Sequence, residues 1–283
     1  MSGRTRPGVG RACAAGFTLI ELVVVIALIG AVGTMGAGLI ARAVDMYRNT
    51  GARSALVDEA EVAVRRLSRE LAGALPNSIR IVNADGGVYL EYVPVLASGR
   101  YRAFASVSAE PTGNDPLEFN AVPPDTSFQV LGPPVDVAAG SALVIYNLGI
   151  APADVYAGDN RRAPTASGTA LSTIAFDAAG ASFPLDSPER RFFLVGTPVT
   201  YFCGPDGRLT RYAGYGWSAA QPTTGGGGLI GATTSRLASS VSACGFELTV
   251  GLANLGSVLL RMGLTRDGET VTLLEQVNID ATP

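Results

Sequence analysis

The sequence predicts an α+β fold, in which a long N-terminal α-helix packs on a C-terminal antiparallel β-sheet domain. An uncharged stretch from Leu22 to Ala41 is followed by apolar residues at helical spacing as far as Leu75. From Asn77 onward, short β-rich runs alternate with turn residues. The composition is that of a folded chain, because 47% of the 283 residues are hydrophobic and 16% are charged.

The uncharged stretch predicts a membrane-spanning helix. Its residues number about 20, and at a rise of about 1.5 Å each they span roughly 30 Å, the thickness of a bilayer's hydrocarbon core. We therefore assign residues 17–41 to the transmembrane half of the helix. A secretory signal peptide has a shorter apolar region, and a lipoprotein signal has its Cys after that region, whereas Cys13 precedes it. A plain anchor leaves Glu21 unexplained, because a carboxylate at membrane depth costs about 2.5–3.5 kcal/mol.

The residues that open this stretch carry a family resemblance. Three arginines and no acid precede the segment Gly16–Glu21, whose sequence is GFTLIE. This pattern resembles the prepilin signature of type IV pilins and of type II secretion pseudopilins. The resemblance implies that a prepilin peptidase cleaves the bond between Gly16 and Phe17, removes residues 1–16 as a leader, and N-methylates Phe17. It covers residues 10–75 and says little about the rest of the chain.

Glu21 is the predicted assembly residue of this segment. Cleavage would free a positive amine at Phe17, four residues before Glu21 on the same face of the helix. The helix dipole favours a carboxylate in the first turn by about 0.3–1 kcal/mol. In a fibre, Glu21 could instead pair with the Phe17 amine of a neighbouring subunit and so set the register between subunits. The remaining alternative is an interfacial carboxylate that only reaches towards water.

The helical pattern continues beyond the membrane, over an amphipathic outer half at residues 42–76. Its apolar positions recur every three or four residues: Leu56, Ala60, Val64, Leu67, Leu71 and Leu75. Gly73 and Pro76 mark the predicted end, and a continuous helix from Phe17 would be about 88 Å long. Four glycines in the inner half either allow close subunit packing or bending, or have no role; they are Gly30, Gly33, Gly36 and Gly38.

Residues 77–283 are predicted to form a β-rich globular domain. The predicted strands are Ser78–Val82, Val88–Val95, Ala142–Leu148, Phe192–Phe202, Leu209–Tyr212, Phe246–Val250, Ser257–Leu264 and Thr270–Val277. Asp-Gly dipeptides predict hairpin turns at Asp85-Gly86, Asp206-Gly207 and Asp267-Gly268. Segments rich in Pro, Gly and Asn predict loops at Ser106–Val137, at residues 149–170 and at Gly225–Gly228.

Loss of the leader would remove Cys13 and leave Cys203 and Cys244 in the mature chain. In an oxidising compartment two cysteines form a disulfide, which here would close a loop of about 40 residues and contribute roughly 3–4 kcal/mol. Two separately buried thiols are the alternative. No metal site is expected, because the chain has no His and two Cys alone do not form a zinc site. No cofactor is expected either.

Two segments of the β-rich part carry a narrower resemblance. Pro198–Cys203 and Arg208–Tyr212 are similar to a minor pilin, the O component, of mannose-sensitive hemagglutinin (MSHA) pilus systems, and Leu274–Asn278 fits the same group. The aromatic residues of this region form either a binding surface or part of a β core. They are Tyr201, Phe202, Tyr212, Tyr215 and Trp217.

The composition argues against an enzyme. The chain has no His and all 21 basic residues are Arg, which excludes His-based triads, Schiff-base chemistry and the P-loop Lys. The spacing of four carboxylates, Asp154, Asp159, Asp186 and Glu189, matches neither a catalytic pair nor a calcium loop. Nucleic acid is not expected as a partner, because the net charge of −3 becomes −6 once the three leader arginines are lost.

The resemblance thus implies a non-catalytic minor pilin that takes part in the assembly of a type IV, MSHA-like pilus. Its partners would be the prepilin peptidase, other major and minor pilins, and the inner-membrane assembly platform. The implied location is a single pass in the inner membrane with the β-rich domain in the periplasm, and incorporation into a surface pilus. Charge alone leaves the orientation open, because Arg42, Arg48 and Arg53 balance the leader. The alternatives are a J-type minor pseudopilin of type II secretion and an adhesin or ligand-binding minor pilin.

Overall fold

The computed structural model describes residues 16–105, 114–250, 255–280 and 282–283. Residues 1–15 of the predicted leader, with Cys13, lie outside the described residues, as do residues 106–113 of one predicted loop. The chain divides into two compact units, the first ending at Gly51 and the second beginning at Ala52.

One α-helix and sixteen β-strands make up the regular structure of the described residues. The helix is α1 (Leu19–Ala72). The strands are β1 (Arg80–Ala84), β2 (Gly87–Tyr92), β3 (Val95–Tyr101), β4 (Ser127–Leu131), β5 (Val135–Val137), β6 (Ala142–Ile145), β7 (Arg161–Pro164), β8 (Gly168–Leu171), β9 (Thr173–Asp177), β10 (Arg191–Val195), β11 (Val199–Cys203), β12 (Leu209–Ala213), β13 (Thr233–Ala238), β14 (Val241–Val250), β15 (Leu255–Arg266) and β16 (Glu269–Asp280). An apolar N-terminal helix followed by a β-rich domain confirms the predicted α+β class.

The first unit contains the apolar part of α1. Leu19–Ile40 is a stretch of 22 residues, long and apolar enough to cross a membrane, and none of it is buried within the described chain. Its large side chains are exposed instead, for example Leu19 at 82% and Met35 at 74%. Removing apolar surface from water contributes about 25 cal/mol per Å², so that a lipid environment would stabilise this stretch.

In the second unit, the outer part of α1 packs in the largest hydrophobic core. Leu56, Ala60, Leu67 and Leu71 are fully buried, as their helical spacing predicts. They share one cluster with side chains from β2 and from β11 to β16. On the exposed face, Glu61 and Arg65 form the expected salt bridge at 2.7 Å.

The helix ends at Ala72, earlier than the predicted end at residue 76. The residues that follow pair with the chain around β3: the Leu75 N–H donates to the Val93 carbonyl at 2.7 Å, and the Val95 N–H donates to the Gly73 carbonyl at 3.0 Å. The turn residues Gly73 and Pro76 therefore stop the helix as predicted, but the three residues before Pro76 already belong to the β-rich part.

Two antiparallel sheets share this core with α1. The larger has the strand order β1-β2-β11-β12-β13, and the smaller has the order β14-β15-β16. The strands of the smaller sheet are long, at 10, 12 and 12 residues. A disulfide between Cys203 on β11 and Cys244 on β14, with 6.2 Å between the Cα atoms, joins the two sheets.

A closed six-stranded barrel, in the order β10-β3-β4-β9-β7-β6, forms from the segment between β2 and β11. It has its own core, in which Phe128, Leu143 and Phe192 are fully buried. The strands β2 and β11 nevertheless pair directly, with Tyr92 opposite Val199. The barrel is therefore an insertion between two neighbouring strands of the larger sheet, which the sequence analysis did not predict.

The three predicted Asp-Gly turns all connect paired strands. Asp85-Gly86 joins β1 to β2 with φ angles of 53° and 72°, and Asp267-Gly268 joins β15 to β16 with φ angles of 52° and 83°. Positive φ at both central residues defines the type I′ turn that Asp-Gly favours. Asp206-Gly207 lies in a longer connection between β11 and β12.

Some strand and loop predictions are wrong. The predicted strand Phe192–Phe202 is two strands, β10 in the barrel and β11 in the larger sheet, because Gly196 and Pro198 interrupt it. The predicted loop Ser106–Val137 contains β4 and β5, and the predicted loop at residues 149–170 contains β7 and most of β8. These strands are three to five residues long, and β7 and β8 carry Arg, Pro or Gly in place of a regular apolar alternation.

Candidate processing and assembly site

The predicted cleavage bond lies just before the first turn of α1. Gly16, Phe17 and Thr18 are outside the helix, which begins at Leu19. Thr18 is the N-cap residue, because its Oγ1 accepts a hydrogen bond from the Glu21 N–H at 3.3 Å. The Gly16–Phe17 bond is therefore in a segment that helical hydrogen bonds do not hold.

Thr18 and Glu21 have the spacing of a capping box, in which Ser or Thr is followed three residues later by Glu or Gln. This spacing places the Glu21 carboxylate in the first turn, where the positive end of the helix dipole favours a negative charge. The sequence analysis singled out Glu21 but missed Thr18. The T-x-x-E pattern is the signal that identifies both residues.

The side chains of this segment are open to a partner. Phe17 is 80% exposed and Ile20 is 70% exposed. Glu21 is also exposed, and it makes no salt bridge with any residue that the structure describes. Gly16, Phe17 and Glu21 therefore lie together in one exposed segment. The predicted cleavage bond, between Gly16 and Phe17, precedes the Glu21 carboxylate in this segment.

The glycines of the apolar part leave room for close approach. A methyl group added at any of the four would meet no atom within 4 Å, for Gly30, Gly33, Gly36 and Gly38 alike. The helix runs through all four positions. Small residues on an exposed apolar helix permit a second helix to pack closely against it.

In the second unit, the Glu70 carboxylate attaches the outer part of α1 to the larger sheet. Its Oε2 accepts hydrogen bonds from the Tyr92 hydroxyl at 2.5 Å, the Tyr201 hydroxyl at 2.8 Å and Arg211 Nε at 2.9 Å. Its Oε1 accepts one from Arg66 Nε at 3.0 Å. Burial raises the pKa of Glu70, but these hydrogen bonds outweigh burial and lower that pKa to about 2.

Glu59 makes a second attachment, 11 residues or about three turns before Glu70 on the same side of the helix. Its Oε1 accepts from the Ser239 N–H at 2.6 Å, and its Oε2 accepts from Arg266 Nη2 at 2.7 Å. Burial raises the pKa of Glu59, but the hydrogen bonds from Ser239 and Arg266 outweigh burial, so that this pKa is lower than its ordinary value. The sequence analysis missed both attachments, because Glu59 and Glu70 resemble ordinary charged residues of a solvated helix face.

The aromatic residues that the sequence left open belong mainly to cores. Tyr201 is fully buried and Tyr215 is buried. Phe202 stacks on Tyr89 with 4.0 Å between ring centroids. Phe202, Tyr212 and Trp217 are each partly buried against a core cluster, and Trp217 also lines a groove on the barrel.

No group of three or more His, Cys, Asp or Glu that could hold a metal ion is present among the described residues. The four carboxylates considered as catalytic candidates are Asp154, Asp159, Asp186 and Glu189. Of these, Glu189 pairs with Arg100 at 3.4 Å, and Asp154 accepts a hydrogen bond from the Tyr156 N–H at 2.9 Å.

A family model described as the prokaryotic N-terminal methylation motif matches residues 11–37. The match includes the predicted cleavage bond, the N-cap and most of the apolar part of α1. No curated protein matches the chain, and no solved structure matches it. The motif supports a type IV pilin or pseudopilin family, and it implies processing by a prepilin peptidase and assembly with other pilins in a membrane machinery.

Proposed function

We propose that the chain is a minor pilin: a non-catalytic subunit that is cleaved, held in the inner membrane and built into a type IV pilus. The observation that carries this proposal is the continuity of the methylation motif with an exposed apolar helix. The motif covers residues 11–37 and the apolar stretch runs from Leu19 to Ile40. A helix stretch of which nothing is buried among the described residues is suited first to lipid and then to the core of a fibre.

In the first step, a prepilin peptidase cleaves between Gly16 and Phe17 and the new amine is methylated. The non-helical backbone of Gly16 and Phe17, with no neighbouring atom within 4 Å of a Cβ at Gly16, supports access to this bond. The capped helix start at Thr18 limits the non-helical segment to the residues before Leu19.

In the second step, Glu21 directs assembly. An unpaired carboxylate in an apolar surrounding costs several kcal/mol, so that a subunit entering a fibre gains free energy when Glu21 meets a cation. The amine of Phe17 on a neighbouring subunit supplies that cation. Exposure of the Glu21 side chain and the absence of a salt-bridge partner for it among the described residues support this step.

The β-rich second unit lies in the periplasm before assembly. The Cys203–Cys244 disulfide supports this orientation, because disulfides persist in the periplasm and are rare in the cytoplasm. The inserted barrel makes the unit larger than one sheet and one helix require, which supports a minor subunit. The O component of MSHA-type pili remains the proposed subtype, with a J-type pseudopilin as its alternative.

Isolation of sheared surface fibres tests the proposal. Mature chain should be present in the fibres of the wild-type strain. Gly16→Phe, which places a bulky side chain at the cleavage bond, should keep the uncleaved chain in the inner membrane. The matched control is Gly10→Phe, the same substitution six residues earlier in the leader, which should enter fibres. Equal amounts of both variants in fibres would contradict the proposal.

A further inference from the structure

A polar groove of about 460 Å³ lies on the inserted barrel. Its walls are residues 138–142, which lead into β6, and residues 161–167, which comprise β7 and the turn after it; Trp217 completes the lining. Arg161 and Arg162 are the charged side chains that line it, and the remaining lining residues are Ala, Gly, Ser, Thr and Pro.

Arg162 is held rigidly in the wall of the groove. It is 8% exposed. Its Nη1 donates to the carbonyls of Asp159 and Arg161 at 3.1 and 2.9 Å, and its Nη2 donates to those of Ala181 and Ser182 at 3.2 and 3.0 Å. All these acceptors are neutral, so that its positive charge is positioned without being neutralised.

Arg161 is positioned but keeps most of its donors. Its guanidinium carbon lies 4.0 Å above the ring centroid of Trp217, and Nη1 donates to the Val155 carbonyl. A guanidinium has five N–H donors, and the other four of Arg161 have no hydrogen-bond acceptor within the described ranges. The stacking on Trp217 fixes the plane of the guanidinium, which leaves these N–H groups to a ligand.

The two positive charges are not paired with carboxylates. Neither arginine forms a salt bridge with a residue that the structure describes. Asp154 acts electrostatically on Arg161, and Asp159 and Asp177 act on Arg162, but none of the three lines the groove. Burial lowers the pKa of both guanidinium groups, because each charge has lost part of its hydration.

We infer that this groove binds an acidic saccharide, whose carboxylate pairs with Arg161. Planar guanidinium donors match a carboxylate in bidentate geometry. The volume lies in the range of small-molecule sites, about 300–1,000 Å³, and exceeds many times the roughly 30 Å³ that one water occupies in the liquid. The exposed hydroxyls of Thr165 and Ser167 provide partners for sugar hydroxyls. Binding here requires neither leader cleavage nor fibre assembly.

Tryptophan fluorescence gives a direct measurement, because the chain has a single Trp and it lines the groove. The full chain in a neutral detergent is titrated with digalacturonate at low salt. We expect a saturable change in emission that weakens as salt is raised. Arg161→Gln should raise the half-saturating concentration by about tenfold or more. The matched control is Arg236→Gln, an exposed arginine outside the groove lining, which should leave it unchanged.

Two further titrations keep the inference falsifiable if Arg161→Gln perturbs folding. Ser167→Phe fills the exposed rim without touching an arginine and should also abolish the response. Neutral digalactose should give no saturable change. An equal response to digalactose, or an unchanged response in Ser167→Phe, overturns the inference. Inorganic phosphate that saturates at the same concentration as digalacturonate overturns the saccharide assignment and leaves a general anion site.

Discussion

Glu70 illustrates, at the scale of single residues, how one carboxylate joins a helix to a sheet. It receives hydrogen bonds from Arg66 on its own helix and from Tyr92, Tyr201 and Arg211 on three different strands. Hydrogen bonds to a charged group contribute about 1.5–3 kcal/mol each when they are measured singly. The attachment therefore depends on the ionised form of one side chain.

We predict that Glu70→Gln lowers the free energy of unfolding at pH 7 by about 2 kcal/mol, because a neutral amide cannot accept all four bonds. The pKa of Glu70 is about 2 in the folded chain against an ordinary value of 4.5. A lowered pKa stabilises the fold above pH 4.5, and this stabilisation is lost as the pH falls towards 2. The difference between wild type and variant should therefore shrink over that pH range.

Urea denaturation of the mature chain in detergent, followed by near-ultraviolet circular dichroism, measures this difference at several pH values. The matched control is Glu61→Gln, which removes an acid on the same helix. Glu61 forms an exposed salt bridge with Arg65, in which the side chain of Glu61 is 49% exposed and that of Arg65 is 77% exposed. The effect of this control should stay below about 0.5 kcal/mol. A Glu70→Gln effect that is the same at pH 2 as at pH 7 would rule out this role.

A local sequence pattern predicts the residues of the processing segment, whereas no such pattern points to the attachment at Glu70. Gly16, Phe17 and Glu21 are neighbours in the sequence, so that a local pattern suffices to identify them. The partners of Glu70 are 22, 131 and 141 residues away. No local periodicity shows that such residues meet, and a charged residue on a helix face is most often solvated.

At the scale of elements, the Cys203–Cys244 disulfide is a covalent cross-link between the two sheets. We predict that the Cys203→Ala, Cys244→Ala double variant lowers the free energy of unfolding by about 3–4 kcal/mol, because the unfolded chain regains the freedom of a closed loop. The separation of 41 residues sets this magnitude.

The double variant isolates this effect, because each single variant would leave one free thiol and the double variant leaves neither. Urea denaturation of the double variant, and of the wild type with and without reductant, measures it. Reduced wild type should unfold at the same urea concentration as the double variant. A double variant as stable as the oxidised wild type would show that the disulfide contributes nothing to the fold.

An element can be predicted from the sequence when neighbouring residues determine its conformation, and not when pairing with distant residues determines it. The turns at Asp85-Gly86 and Asp267-Gly268 follow from two residues that tolerate positive φ, and both were predicted. The strands β7 and β8 lack a regular apolar alternation, and pairing holds β7 against β6 and β9 in the barrel and β8 against β5. The break at Gly196 and Pro198 divides one predicted strand between the barrel and the larger sheet.

At the scale of the whole molecule, the barrel is an insertion between β2 and β11, which are already neighbours in the larger sheet. The residues Tyr92 and Val199 already face each other across β2 and β11. We predict that replacing residues 93–198 by Asn-Gly, which favours a two-residue hairpin, leaves a folded chain that still forms the Cys203–Cys244 disulfide. Its thermal stability should be lower, because Leu75 loses its buried contacts with the barrel side.

Mass spectrometry after alkylation, with and without reductant, measures the disulfide in the shortened chain. The same shortened chain should lose the fluorescence response to digalacturonate, because residues 138–142 and 161–167 of the groove are absent. Two free thiols and no cooperative thermal transition would show that the barrel is required for folding of the larger sheet.

The central claim is that the chain is a processed pilin-type subunit, and its most direct test is the intact mass and first residue of the protein purified from membranes. In cells with an active prepilin peptidase, we predict a chain that begins at N-methylated Phe17. In cells without the peptidase, the same protein should retain residues 1–16. A chain that keeps the leader in both strains, or one cut at a position other than Gly16–Phe17, would contradict the account.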